Sequence, residues 1–139
     1  MDSPSLIITA PLSAARHIQC DERWLIIRVE AEIKDIKWVP GLAPSPSLFR
    51  RYIEEWKGKA VEEYWPIYSD LFLEELKSEE KLVTLRQLWS LSSKGTSVVL
   101  LCYCPNPATC HRSLVGNFLR SHGANVIEYV PQQADLFRD

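Results

Sequence analysis

"TSVVLLCYCPNPATCHRSLVGNFLRSHGANVIEYV", residues 96–130, decides the fold. Its opening, "TSVVLLCYC" (96–104), is apolar at odd and even positions alike. Side chains alternate across a strand, so such a run belongs to one covered on both faces, as in the middle of a parallel sheet. "PNPAT" (105–109) cannot extend it, because proline has no N–H to donate. Thr109 is then expected to cap a helix running from about Cys110 to His122, with Leu114, Val115, Phe118 and Leu119 apolar and Gly123 as a left-handed stop. "NVIEYV" (125–130) resumes as a strand. Strand, helix and strand in this order form a βαβ unit. The expected fold class is α/β, a single three-layer domain with a mostly parallel sheet flanked by helices.

Upstream, "SLIIT" (5–9) and "RWLIIRVE" (23–30) are short β-branched runs and are expected as strands, with "SAARHIQCDE" (13–22) a loop or short turn between them. "IKDIKWVPGLAPSPS" (33–47) holds three prolines and a glycine, which predicts an extended, irregular segment. Ser47 is then expected to cap a helix carrying Leu48, Phe49, Tyr52, Ile53 and Trp56 on one face, ended by Gly58. Residues 59–95 are helical by composition, with Pro66 marking a new first turn or a kink. Ser78, with Glu79 and Glu80, reads as a fresh helix start; Leu82, Leu85, Leu88 and Trp89 form its stripe, and Gly95 closes it. Glu62, Glu63, Glu74, Glu75, Glu79 and Glu80 read as a solvated face rather than a cation site.

A chain of 139 residues, 46% apolar and 24% charged, is most simply one domain over 1–139 with a real core. A formal charge of −2 provides no global basic field, so nucleic acid is not an expected partner without a local patch. The N-terminus lacks the basic-then-apolar pattern of a signal peptide, and no run approaches the roughly 20 apolar residues that span a bilayer. Three of the four cysteines are clustered, unlike a dispersed disulfide framework. The expectation is a cytoplasmic protein with no membrane partner.

The chemistry gathers at the strand-to-helix corner, where ligands of open α/β sheets bind. Cys110, His111 and Arg112 fall in the first helical turn, whose N–H groups are unpaired and carry the positive dipole end. Cys102 and Cys104, two apart, are expected to share a strand face. A thiol beside a His and an Arg at a helix start favours thiolate, so Cys110 or Cys104 is the candidate nucleophile and His111 the proton carrier. Arg112, Ser113 and Thr109 are the candidate anion-binding residues. The pattern points to a thiolate-dependent enzyme acting on a small phosphate- or nucleotide-like anion. Thiol-phosphatase and rhodanese loops also join a strand to a helix, but their Cys-to-Arg spacing differs from the seven residues separating Cys104 and Arg112.

No cofactor is expected on this reading. The competing one is a non-catalytic zinc site of Cys102, Cys104, Cys110 and His111, four N/S ligands that suit tetrahedral zinc. Against it, adjacent helical residues diverge by about 100°. An oxidative Cys104–Cys110 disulfide is also geometrically conceivable. Cys20 and His17, in the early loop, read as incidental, as does His122. In the tail "QQADLFRD", Gln133, Leu136 and Phe137 distantly resemble a sliding-clamp-binding peptide, and an ordinary tail is the favoured reading.

A strand-end Cys followed eight residues later by Cys-His-Arg-Ser, here Cys102 and "CHRS" (110–113), resembles the domain-of-unknown-function 488 family. "GLAPSPSLF" (41–49) and "SKGTSVVLLCY" (93–103) resemble its branch with a Leu-Ala-Pro-Ser-Pro stretch, and the likeness runs from about Ile7 to Val130. The resemblance implies a single α/β domain without an established activity. Family members often carry an acidic residue where this chain has Cys104, and an Asp-Arg pair where it reads Ile27-Arg28-Val29-Glu30. Arg28 and Glu30 are therefore the candidates for an opposing wall.

Overall fold

Five strands lie in one sheet: β1 (Ile7–Pro11), β2 (Glu22–Leu25), β3 (Lys37–Trp38), β4 (Val98–Cys102) and β5 (Val126–Glu128). Their spatial order is β3-β2-β4-β1-β5, and every strand pairing is parallel. The structure, a computed structural model, describes residues 6–130. β4 is buried at all five positions, as its two-faced apolar run requires. β1 lies beside it in the register Ile7↔Val98 to Pro11↔Cys102, and β2 flanks the other side with Glu22↔Val98 to Leu25↔Leu101. The domain is therefore α/β with an all-parallel sheet flanked by helices: α1 (Pro46–Arg51), α2 (Val61–Leu76), α3 (Glu79–Ser93) and α4 (His111–Ser121). One contiguous core runs from Ile7 and Trp24 through Phe72 and Leu88 to Val115 and Val126.

Several boundaries move, most for a local reason. The second strand is shorter than the expected 23–30: it spans Glu22–Leu25, with one further ladder bond on each side, Ile26 N–H to Leu101 O and Val39 N–H to Leu25 O. Residues 33–36 close a tight turn through Ile36 N–H to Ile33 O, with Asp35 at φ 64°, and a two-residue edge strand follows in the segment expected to be irregular. The helix cap is Ser45 rather than Ser47: its Oγ accepts from Leu48 N–H at 3.1 Å, which leaves Pro46 at the first helical position, where its missing N–H costs nothing. Past Arg51 the chain widens into one π-type turn, Tyr52–Trp56, closed by Lys57 N–H to Tyr52 O at 2.8 Å. α2 continues without a break through Pro66, so no new helix begins there. Ser78 caps α3 as expected, accepting from Lys81 N–H, and Gly95 (φ 95°) and Gly123 (φ 96°) sit just beyond the ends of α3 and α4. Trp89, placed on the α3 stripe, is exposed. The clamp-like tail lies outside the described residues.

Candidate functional site

β4 ends at Cys102, so Cys104 lies on the turn beyond and does not share a strand face with it. The turn is built from local bonds. Asn106 Oδ1 accepts Ala108 N–H at 3.0 Å, Pro107–Thr109 form one 3-10 turn, and Cys110 N–H reaches Pro107 O at 3.3 Å. Thr109 therefore does not cap α4. Cys110 occupies the cap position with an extended backbone, φ −129° and ψ 141°, and makes no side-chain cap bond. That conformation removes the objection that Cys110 and His111 must diverge, since only His111 is helical. The ligating atoms of Cys102, Cys110 and His111 lie within 4.8 Å of one another.

Cys104, half-buried, joins this cluster. Hydrogen bonds from the Cys102 and Cys110 side chains hold its pKa well below the ordinary thiol range, against the burial that opposes ionisation, and the Arg112 guanidinium adds to the effect. Cys110 is driven upward by those same neighbours and by burial. The three sulfurs thus titrate as one coupled cluster, in which ionisation is favoured at Cys104. All the cysteines are free thiols.

His111 is buried between this cluster and the end of β2. Its Nε2 lies 2.5 Å from the Ile26 carbonyl, which can only accept. Nε2 therefore carries the proton, and Nδ1 keeps its lone pair. Burial lowers its pKa, opposed by the field of Cys102 and the Ile26 hydrogen bond. A neutral imidazole suits a base or a metal ligand rather than an acid.

Two expected anion binders are engaged elsewhere. Arg112 is fully buried and faces Glu128 of β5, with Nη2–Oε2 at 2.9 Å and Nε–Oε1 at 3.1 Å. Its Nη1 donates to Cys104 O at 2.5 Å and contacts Cys102 Sγ at 3.6 Å. The guanidinium thus pins the turn from inside and presents no fork to a ligand. Ser113 Oγ donates to Pro107 O, again holding the turn.

In front of the thiols opens a cavity of about 160 Å³, walled by aromatic side chains from residues 49–68 and reached by Arg28, Cys104, Thr109, Cys110 and His111. Arg28 donates through Nε to Pro44 O at 2.8 Å and through Nη2 to Pro40 O at 3.2 Å. Its Nη1 has no partner among the described residues. Glu30 is exposed and does not line the cavity. Of the two second-wall candidates, Arg28 stands there and Glu30 does not.

The segment bearing Pro44 is strapped down by charge. Lys81, only 3% exposed, donates from Nζ to Ala43 O at 2.5 Å, and Glu75 accepts from both Ser45 N–H (2.9 Å) and Ser45 Oγ–H. Glu75, read from sequence as solvated, is thus committed to the fold. The aromatic wall is held as rigidly: Tyr68 stacks on Trp65 at 5.3 Å and on Phe72 at 6.2 Å, while Trp56 stacks on Tyr64 at 5.7 Å. These aromatics, with Lys81 and Glu128, were not singled out by the motif. Five Tyr or Trp residues between 52 and 68 were the available signal, more than two amphipathic turns need for a core.

Among curated proteins and among solved structures, none matches the chain. The family model DUF488-N3a, described as "Active DUF488-N3 subclade", matches residues 10–123. That span runs from β1 through the tied-down 40–46 segment to the end of α4 and takes in the whole thiol corner. The chain belongs to the DUF488 family.

Proposed function

We propose that this protein is a thiolate-dependent enzyme acting on a small anionic substrate of phosphate- or nucleotide-like type, with Cys104 as nucleophile. One observation carries the reading: the sulfur whose pKa is lowered, Cys104, also lines the aromatic cavity. Cys104 Sγ forms the new bond to the electrophilic atom. The bond to the leaving group breaks with its electron pair, and that group takes its proton from water. His111, neutral, serves as the base through Nδ1 for the water that then releases the thiol adduct. Arg28 takes over the anion-binding role expected of Arg112 and Ser113, and Thr109 keeps the one expected of it, since both line the cavity and each retains a donor without a partner among the described residues. The word "Active" in the family description agrees with an intact site. Unbridged adjacent thiols suit a reducing compartment such as the cytosol; no helix among the described residues is long and apolar enough to cross a membrane.

The test is site-resolved alkylation by iodoacetamide between pH 5 and 9. Cys104 should react first, at a rate nearly flat from pH 6 to 8, and Cys104→Ser should abolish that phase. Reaction only as pH approaches the free-thiol value of about 8.5 removes the enzyme reading.

A second reading rests on the convergence of Cys102, Cys110 and His111 within 4.8 Å. With Cys104 they would make a closed tetrahedral zinc site, and the Nε2–H bond to Ile26 O is the outer-shell contact that orients a histidine ligand. Protein purified without chelators would then carry one zinc per chain, and Cys104 would alkylate only after chelation.

A further inference from the structure

The cavity reveals what shape of group it accepts, a question that deepens the thiolate reading and rests on it. At about 160 Å³ it has the capacity of one six-membered ring. Its walls include Phe49, Tyr52, Tyr64, Trp65 and Tyr68, so the surface offered to a guest is largely aromatic and polarisable. Tyr68 is 7% exposed and fixed on both sides by Trp65 and Phe72, yet its hydroxyl has no protein partner among the described residues and is not an orphaned buried atom, so it opens to the cavity. Arg28 Nη1 and the Thr109 hydroxyl are likewise unpartnered there. A ring-sized, aromatic-lined cavity rimmed by a guanidinium and two hydroxyls complements a planar ring carrying an acceptor.

We infer that the pocket takes a single planar ring bearing an anionic or carbonyl oxygen, and that Tyr68 Oη donates the hydrogen bond that orients this oxygen beside Cys104. Burial and the fields of Cys110 and Cys104 raise the Tyr68 pKa, which keeps the phenol protonated as a donor. Tyr68 is thus a specificity-determining residue. A bare phosphate would fill the rim and leave the cavity empty; a ring fills both.

The experiment titrates the full chain with benzoate, cyclohexanecarboxylate and inorganic phosphate, reading heat of binding and protection of Cys104 from iodoacetamide at pH 7. Benzoate should bind and protect saturably. Cyclohexanecarboxylate, with the same charge and no flat face, should bind about tenfold more weakly. Tyr68→Phe should weaken benzoate about tenfold, and Thr109→Val should weaken it less, providing a second variant that leaves the aromatic stack whole. Phosphate protecting as well as benzoate, equal binding of the two carboxylates, no binding of benzoate, or an unchanged Tyr68→Phe overturns the ring inference. If Cys104 still alkylates at pH 6 in any of those cases, the thiolate reading stands while the ring inference falls.

Discussion

Replacing Glu128 with alanine should unfold more than an edge strand. Arg112 is fully buried and cannot shed its proton, so removal of the carboxylate strands a guanidinium that keeps only Cys104 O and Cys102 Sγ as partners among the described residues. Breaking a buried pair from one side costs about 3–5 kcal/mol. Glu128, at the outer strand, retains 24% side-chain exposure, which admits some water and places the cost near the lower end, about 3 kcal/mol. Thr9 Oγ1 also loses its 2.7 Å acceptor. At roughly 4 °C per kcal/mol for a domain of this size, Tm should fall by about 12 °C. The site should respond too, because Arg112 lowers the Cys104 thiol pKa and would lose the carboxylate that offsets its charge; the alkylation profile of Cys104 should move to still lower pH. Calorimetry and iodoacetamide kinetics on one preparation read both effects. Arg112→Met with Glu128→Met should cost less than the two single changes added together, since no buried charge is then left alone. A Tm loss under about 2 °C for Glu128→Ala, with an unmoved thiol profile, would refute the assignment of Arg112 as the internal tie.

Three further outcomes follow from other contacts. Burial lowers the His111 pKa from 6.5, so the unfolded chain binds protons more readily; stability should be complete above that value and fall as pH drops below it, and His111→Gln should flatten that acid slope in urea melts. Lys81, its pKa lowered from 10.5 by burial, gains stability as pH rises toward 10.5; Lys81→Met should lose that gain and cost about 1–2 kcal/mol at neutral pH by leaving Ala43 O without its donor. A methyl on Gly41 would run into the Thr84 side chain, whose Cβ and Cγ2 stand 3.1 and 3.3 Å from it, so rotation gives no escape; Gly41→Ala should cost about 1–3 kcal/mol in chemical denaturation, and Thr84→Ala should recover most of it.

The sheet was legible where one physical demand dominated. A run apolar on both parities could only be a covered strand, and Val98–Cys102 is that strand. Gly95 and Gly123 were legible because a positive φ ends a helix cheaply. Ser47 misled because two serines flank Pro46, and only the fit of proline to the first helical position selects Ser45. Membership of the thiol cluster was legible from spacing, but direction was not. Whether Arg112 points outward or inward depends on Glu128, sixteen residues away on a strand that sequence alone does not place beside β1. The backbone of Cys110 was equally hidden: a helical angle had been assumed for a residue whose extended φ and ψ bring its sulfur back toward Cys102. The aromatic wall is distributed over α1, the π-type turn and α2, and such a surface has no linear motif.

β1 has a consequence for how the chain is made. Its two neighbours are β4 and β5, the last two strands of the described sheet in chain order, so the first of these five strands to leave the ribosome has no partner until residues 98–102 emerge. During that interval "LIITAP" (6–11) is an exposed, uncharged, β-prone edge. Vectorial synthesis therefore cannot build this sheet from its beginning, and nascent Ile7 and Ile8 are the residues that a chaperone would most usefully shield.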